Sequence, residues 1–432
     1  MKKRNKYLTR TLALFSTLAL TLCGCNTTAY TDLMEIRTSA PNASSQTQSV
    51  KPVTLECPVG EVLVNPETAF TDFGIRLFQN SIDNDTNTLI SPLSVLFALS
   101  MTANGAEGDT LAQMESVLGM PVEQLNASLN TYINALPDAG TYRLKAANSI
   151  WFKDDPELSV NDSFLQINSD YYDAGIYKVP FDNTALKSIN NWVNDNTDGM
   201  IPSILNEIPS DAVMYLINAL CFDAQWETIY KKNDVRTKDV TLEDGTVRKT
   251  ELMYSEEHVY LEDEMATGFL KYYDDKAYAF AALLPKEGVS VADYASSLTG
   301  EHLHKLLTDP ETITVNAAIP KFECELSTEL SETLKNMGMP NAFDSKLADL
   351  TALGSSVNGN LYIGRVLHKT FLALDEKGTK AGAATAVEIK EECAIMDLKT
   401  VILNRPFLYM LIDCKHGIPL FMGTLVDVEN PE

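Results

Sequence analysis

The sequence has no internal repeat, no GxSxG elbow, no Walker loop, no GxGxxG turn and no HExxH helix. Those absences remove the commonest ways of placing a nucleophile, a nucleotide phosphate or a hydrolytic metal. Histidine is scarce: His258, His302, His304, His368 and His416 are all there are. Of these, only Glu301-His-Leu-His304 brings two rings close in sequence, and on a helix of about 3.6 residues per turn they point about 200° apart, which makes no metal site. Beyond position 25 the cysteines are Cys57, Cys221, Cys324, Cys393 and Cys414. An odd, scattered set without a CxxC pair argues against a disulfide framework, a zinc site or redox work. Positive charge is also short, with 34 Lys and Arg against 59 Asp and Glu and a formal net charge of −25. Such a surface repels nucleic acid and anionic membrane. Neither an enzyme nor a cofactor is expected.

What is present begins with an address. Met1-Lys-Lys-Arg-Asn-Lys6 leads into an apolar run from Leu12 to Leu22 and then Cys23-Gly-Cys25, the layout of an export signal. The run is too short to stay in a bilayer as a spanning helix. Leu22-Cys-Gly-Cys25 resembles a bacterial lipobox, which implies a signal peptide over residues 1–24 and a diacylated Cys25 as the mature first residue. Taking the five basic residues of positions 1–24 from the 34 leaves 29 against 59 acidic ones. Residues 25–64 are rich in Ser, Thr, Asn, Gln and Pro and read as a flexible tether. The body is 65–432, an exported domain held at the bacterial membrane or cell surface through Cys25 and expected to be a monomer.

Within the body, Phe70, Phe73, Leu77 and Phe78 recur at helical spacing, and Leu93, Leu96, Phe97, Ser100 and Met101 repeat the pattern after Ser91-Pro92. A third helix is expected from Thr110 to Leu118, closed by Gly119, and a later amphipathic one from Leu326 to Met337, closed by Gly338. Strands dominate afterwards. Val213–Phe222, Tyr278–Pro285, Thr312–Pro320, Thr370–Leu374 and Phe407–Asp413 are near-continuous apolar runs, as buried strands should be. Helices first, strands mostly later, and no repeating βα unit give an α+β class with a helix-rich N-terminal part and a large mixed sheet.

The segment from Asp375 to Met396 carries the functional information. From Thr379 its residues alternate: Thr379, Ala381, Ala383, Thr385, Val387 and Ile389 form a small or apolar face, while Lys380, Gly382, Ala384, Ala386, Glu388 and Lys390 form the other. That is a strand pattern with one face suited to burial. Yet Gly378–Ala386 is rich in Gly and Ala, which have poor strand propensity and little to pack. On composition alone the stretch reads equally well as a linker between two strands.

Glu376-Lys-Gly-Thr-Lys-Ala-Gly-Ala-Ala-Thr385 resembles the reactive-loop hinge of inhibitory serpins, and Val401-Ile-Leu-Asn-Arg-Pro-Phe-Leu-Tyr-Met-Leu411 resembles the signature that follows that loop. Further blocks occur in the family's order from about Phe70 to Pro431. Among them are Ile90-Ser-Pro-Leu-Ser94, Ala147-Asn-Ser-Ile-Trp-Phe152, Ile189-Asn-Asn-Trp192, Ile217-Asn-Ala-Leu-Cys-Phe222 and Ile319-Pro-Lys-Phe322.

The resemblance implies a serpin fold with further β-sheets and an exposed reactive loop at about 376–400. It also implies an irreversible suicide-substrate inhibitor of serine proteases, with cysteine proteases as a second target class. The hinge would comprise Glu376, Gly378, Thr379, Ala381, Ala383 and Thr385. Ser91, Ser94, Asn190 and His368 would form a polar cluster beneath the middle of the large sheet, with Trp226 and Glu376 at its top. Lys380 departs from the acidic residue common at its place in the family, but on the outward face. The bond to be cut is left open: counting from Gly378 gives Glu392 with Cys393 following, whereas counting back from Pro406 gives Ile395. Glu392 suits an acid-preferring protease; Cys393, Ala394 or Ile395 suits an elastase-like one. The rival reading is a non-inhibitory serpin that serves as a surface binding protein.

Overall fold

Two residues that precede prolines start the first helices. Asn65 accepts a hydrogen bond from the Glu67 N–H at 3.0 Å ahead of α1 (Pro66–Gln79), and Ser91 accepts one from the Ser94 N–H ahead of α2 (Pro92–Ala103). A proline in the first helical turn loses nothing, because its missing N–H would have had no helical partner. In the computed structural model, which describes residues 31–32, 64–83, 85–136, 142–209, 212–379 and 398–428, further helices follow. They are α3 (Gly108–Leu118), α4 (Val122–Ala135), α5 (Asp162–Tyr172), α6 (Asn183–Asn196), α7 (Val291–Ser297), α8 (Gly300–Thr308) and α9 (Ser331–Met337). Every residue of α2 except Ala98 is buried, so this helix lies inside the body. Gly119 ends α3 at a φ of 87°, which a side-chain-bearing residue adopts only with strain.

The central sheet contains β1 (Thr31–Asp32), β2 (Tyr142–Lys153), β3 (Gly175–Val179), β4 (Met214–Gln225), β5 (Phe322–Glu329), β6 (Leu367–Leu374) and β7 (Gly378–Thr379). Their order is β1-β3-β2-β4-β7-β6-β5, mixed in direction because β2 and β3 run parallel while the other pairs are antiparallel. A six-stranded antiparallel sheet, including Tyr278–Pro285 and Phe407–Asp413, has both of those strands buried at every residue. A four-stranded sheet joins Lys399–Ile402, Val315–Pro320, Val247–Glu257 and Val235–Thr241 in that order. The architecture is α+β, with a helix-rich N-terminal part, a large mixed sheet and further β-sheets.

Two departures from the sequence reading stand out. The expected helix from Leu326 begins only at Ser331; residues 322–329 instead form edge strand β5, paired from Phe322↔Leu374 to Glu329↔Leu367. Ladder pairing with β6 outweighs local helical periodicity there. Within the stretch read as a tether, Thr31 and Asp32 pair with Lys178 and Tyr177 at the edge of the central sheet.

The sheet separates two cores. Tyr215, Ile217 and Ala219 of β4 pack with Ile189 and Val193 of α6 on one face. Leu220 and Phe222, one step out of phase, join the main core with α2 on the other. Between β4 and β6 no register exists among the described residues except through β7, which meets Ala224 and Gln225 of β4 and Leu374 of β6. Below that contact the two strands part over α2, and the cleft between them holds a small cavity of about 30 Å³ lined by Ser94, Leu216, Asn218, Leu367 and His368.

Candidate functional site

The upper end of the cleft is built on a turn. Asp375 Oδ1 accepts from the Lys377 and Gly378 N–H groups at 2.7 and 3.2 Å, and the Asp375 N–H donates to the Gly378 carbonyl at 3.0 Å. This local closure sends Gly378 between β4 and β6, where a Cβ would lie 2.0 Å from the Ala224 carbonyl oxygen. Only glycine fits that approach.

Trp226 and Tyr230 hold the turn from β4's side. The Trp226 backbone N–H donates to the Lys377 carbonyl at 2.8 Å, its indole Nε1–H to the Asp375 carbonyl at 2.9 Å, and the Tyr230 N–H to the Glu376 carbonyl at 2.9 Å. Trp226 is fully buried and stacks on Tyr273, with centroids 4.4 Å apart and planes at 15°. Lys321 Nζ lies 3.0 Å from both Glu376 Oε1 and Glu251 Oε2. Partial burial opposes the charge on Glu376, but its own backbone N–H and Lys321 outweigh that and hold the carboxyl below its usual range.

Beneath the cleft lies a buried polar chain. His368, on β6, is 5% exposed and its Nε2 accepts from the Ser91 N–H at 3.0 Å. Ser91 Oγ donates to the Leu420 carbonyl at 2.8 Å. Ser94 Oγ donates to Asn218 Oδ1 on β4, Asn218 Nδ2 donates to Asn148 Oδ1 on β2, and Asn148 Nδ2 reaches the Tyr172 carbonyl at 3.0 Å. The first turn of α2 therefore bonds to both walls of the cleft, β6 through Ser91 and β4 through Ser94. Burial without a charged partner pushes His368 down to about 4, so it is neutral.

The structure thus brings Ser91, Ser94 and His368 together, and sets Trp226, Glu376, Gly378 and Thr379 at the top of the sheet. Asn190 is not part of the polar chain: its Oδ1 accepts from the Ile204 and Leu205 N–H groups, both at 2.9 Å, and its Nδ2 donates to the Leu205 carbonyl at 2.8 Å. Asn190 belongs to α6, whose core contacts lie on the opposite face of the sheet from α2, and this placement gives it a loop-tethering task instead. Asn218 and Asn148 fill the chain. Each is an asparagine set in a largely apolar stretch of its strand, Ala146–Phe152 and Tyr215–Phe222. Cys25, Lys380, Ala381, Ala383, Thr385, Glu392, Cys393, Ala394 and Ile395 lie outside the described residues. His302, from the two-histidine pair, makes a 3.1 Å contact with Asp263 Oδ2.

Comparison with known proteins gives one consistent result. A family model described as Serpin (serine protease inhibitor) matches residues 68–428. The crystal structure of a thermophilic serpin, tengpin, in the native state is similar with a TM-score of 0.82 and 44% identity, covering 92% of this chain and all of that one. An uncharacterized serpin-like protein of Thermococcus kodakarensis is 28% identical over 372 residues, 84% of this chain and 85% of that protein. The human leukocyte elastase inhibitor is 29% identical over 377 residues, 82% of this chain and 97% of that protein.

Proposed function

The chain belongs to the serpin family, whose members are generally protease inhibitors, and we propose that it acts as an irreversible suicide-substrate inhibitor of serine proteases. The observation that carries this reading is the position of Gly378 and Thr379. They already form a two-residue strand between β4 and β6, which share no ladder of their own among the described residues and enclose a small cavity farther down, at Asn218 and His368.

In this mechanism a protease attacks a bond in the segment 380–397 and becomes acylated on the N-terminal fragment. That fragment, freed at its far end, extends β7 downwards residue by residue. Ala381, Ala383 and Thr385 follow Thr379 on the inward face, and none is bulky or charged. Each added residue gains ladder hydrogen bonds worth roughly 0.5–1.5 kcal/mol net, so about ten residues release on the order of 10 kcal/mol. The gain depends on widening the cleft, and the bonds from Ser91 and Ser94 to its two walls are the ones that must give way. The acyl-enzyme is carried along and distorted before water can release it. This is the strain-releasing class of switch.

An elastase-like target fits Cys393, Ala394 or Ile395 at the cut, and the similarity to an inhibitor named for leukocyte elastase favours it over the acidic choice, Glu392. Lipidation of Cys25 would hold the body at a bacterial surface through residues 25–64, of which Thr31 and Asp32 pair with the edge of the central sheet, and there it would meet extracellular proteases. The test is incubation with an elastase and a subtilisin-like protease followed by denaturing electrophoresis. A covalent band at the summed mass supports the inhibitor; clipping without such a band supports a non-inhibitory binding protein.

A further inference from the structure

Lys271 is the only lysine buried among the described residues, at 1% exposure. Its Nζ lies 2.8 Å from Glu257 Oε1, 4.4 Å from the Tyr230 ring centroid and 5.3 Å from that of Trp226. An ammonium removed from water is costly unless well paired, and here a carboxylate and two ring faces offset the loss. Burial by itself would drive the proton off; Tyr230 and Glu257 outweigh it and keep the amine charged.

The partners of this cation lead in two directions. Trp226 and Tyr230 are the residues whose N–H groups grip the carbonyls of Asp375, Glu376 and Lys377. Glu257 belongs to the four-stranded sheet, where it registers with Val315, and Val315 in turn registers with Lys399, the first residue of the strand that follows segment 380–397. One row of residues therefore runs from Trp226 and Tyr230, whose N–H groups hold the loop's first end, through Lys271 and Glu257, to the strand that holds its second. Tyr230 adds a parallel link, its hydroxyl 3.3 Å from Ser255 Oγ on the same strand as Glu257.

We propose that Lys271 is a positioning residue for loop insertion: its ion pair with Glu257 couples the clamp of Trp226 and Tyr230 on the hinge to the seating of Lys399–Ile402, so that both ends of the loop loosen together. A protease docked on the uncut loop and straining its far end would shift Glu257, deprive Lys271 of its carboxylate and loosen the grip of Trp226 and Tyr230 on the hinge. The use of this coupling rests on the inhibitory reading; the coupling itself belongs to the uncleaved chain.

The experiment is amide hydrogen exchange on uncleaved, full-length protein, comparing wild type with Lys271→Met, the milder Glu257→Gln, and the charge-preserving Lys271→Arg. Exchange at Gly378–Thr379 and at Val401–Leu403 is expected to rise at least about tenfold in both Lys271→Met and Glu257→Gln, with the amides of Phe407–Asp413 unchanged and Lys271→Arg close to wild type. Acceleration at one end only, at all sites equally, or at neither overturns the proposal. Covalent complex formation by the wild type is scored separately. A wild type that forms no complex while the ends still loosen together sinks the inhibitory reading and leaves the coupling intact; complex formation without paired loosening sinks the coupling alone.

Discussion

Tyr273 Oη lies 2.6 Å from Thr379 Oγ1, and both side chains are buried, at 0% and 1% exposure. The first residue of the alternating face read from the sequence is thus already seated in the central sheet and hydrogen-bonded from beneath. Stacking of Tyr273 on Trp226 ties this seat to the clamp on the preceding turn. The hinge is engaged before any cut is made, which shortens the distance insertion must cover afterwards.

Tyr273→Phe removes the hydroxyl and leaves Thr379 Oγ1 without that partner. A buried polar group so deprived costs about 1–3 kcal/mol. The expected outcome is faster hydrogen exchange at Gly378 and Thr379 and a modest fall in melting temperature, with the strand Phe407–Asp413 unaffected. Unchanged exchange at the hinge would show that the hydroxyl contact does not hold it.

Thr379→Arg places a long cation where 1% of the native side chain is exposed. Its burial without a partner costs several kcal/mol and obstructs the inward face. The variant is expected to be cleaved at the wild-type rate but to release the protease, turning inhibitor into substrate. Denaturing gels that show as much covalent complex as wild type would refute this.

Gly378→Ala adds a Cβ that would sit 2.0 Å from the Ala224 carbonyl oxygen. Overpacking of this kind costs about 1–3 kcal/mol, which the chain can avoid by withdrawing the hinge. Loss of protection at Thr379 together with a changed Trp226 fluorescence is the expected signature. A native-like exchange pattern would mean that β4 yields instead.

The pH dependence follows from His368, whose burial lowers it from 6.5 to about 4. In that window the unfolded chain binds the proton more readily than the folded one, so stability is full above pH 6.5 and declines as pH falls toward 4. The decline attributable to this group amounts to about 3 kcal/mol. Protonation also removes the acceptor for the Ser91 N–H, loosening one wall of the cleft. Denaturant melts of wild type and His368→Gln between pH 7 and 4 check it: the variant should show the shallower slope, and equal slopes would assign the effect to other groups.

The parts of this molecule that could be read ahead were those where burial leaves a single interpretation. Tyr278–Pro285 and Phe407–Asp413 coincide residue for residue with apolar runs, because a strand covered on both faces has no other pattern to show. Thr379 opens an alternation that composition alone leaves equally readable as a linker, and the resemblance to a reactive-loop hinge is what singles it out. Other features depend on partners distant in sequence. Residues 326–329 have helical periodicity but sit in a ladder with β6, and nothing local announces that edge. Asn190 was drawn into the polar cluster by resemblance, yet the packing of α6 sets it on the other face of the sheet, bonded to Ile204 and Leu205. Lys271 looks like an ordinary solvated lysine until the strand bearing Glu257 is placed beside it.

The decisive measurement is the melting temperature before and after a single cut within residues 380–397, followed by a structure of the cut form. The expected result is a rise of tens of degrees, since roughly 10 kcal/mol is a large share of a domain's total stability, with a new strand continuing Thr379 down between β4 and β6. An unchanged melting temperature, with the cleft still vacant below Thr379, would contradict it.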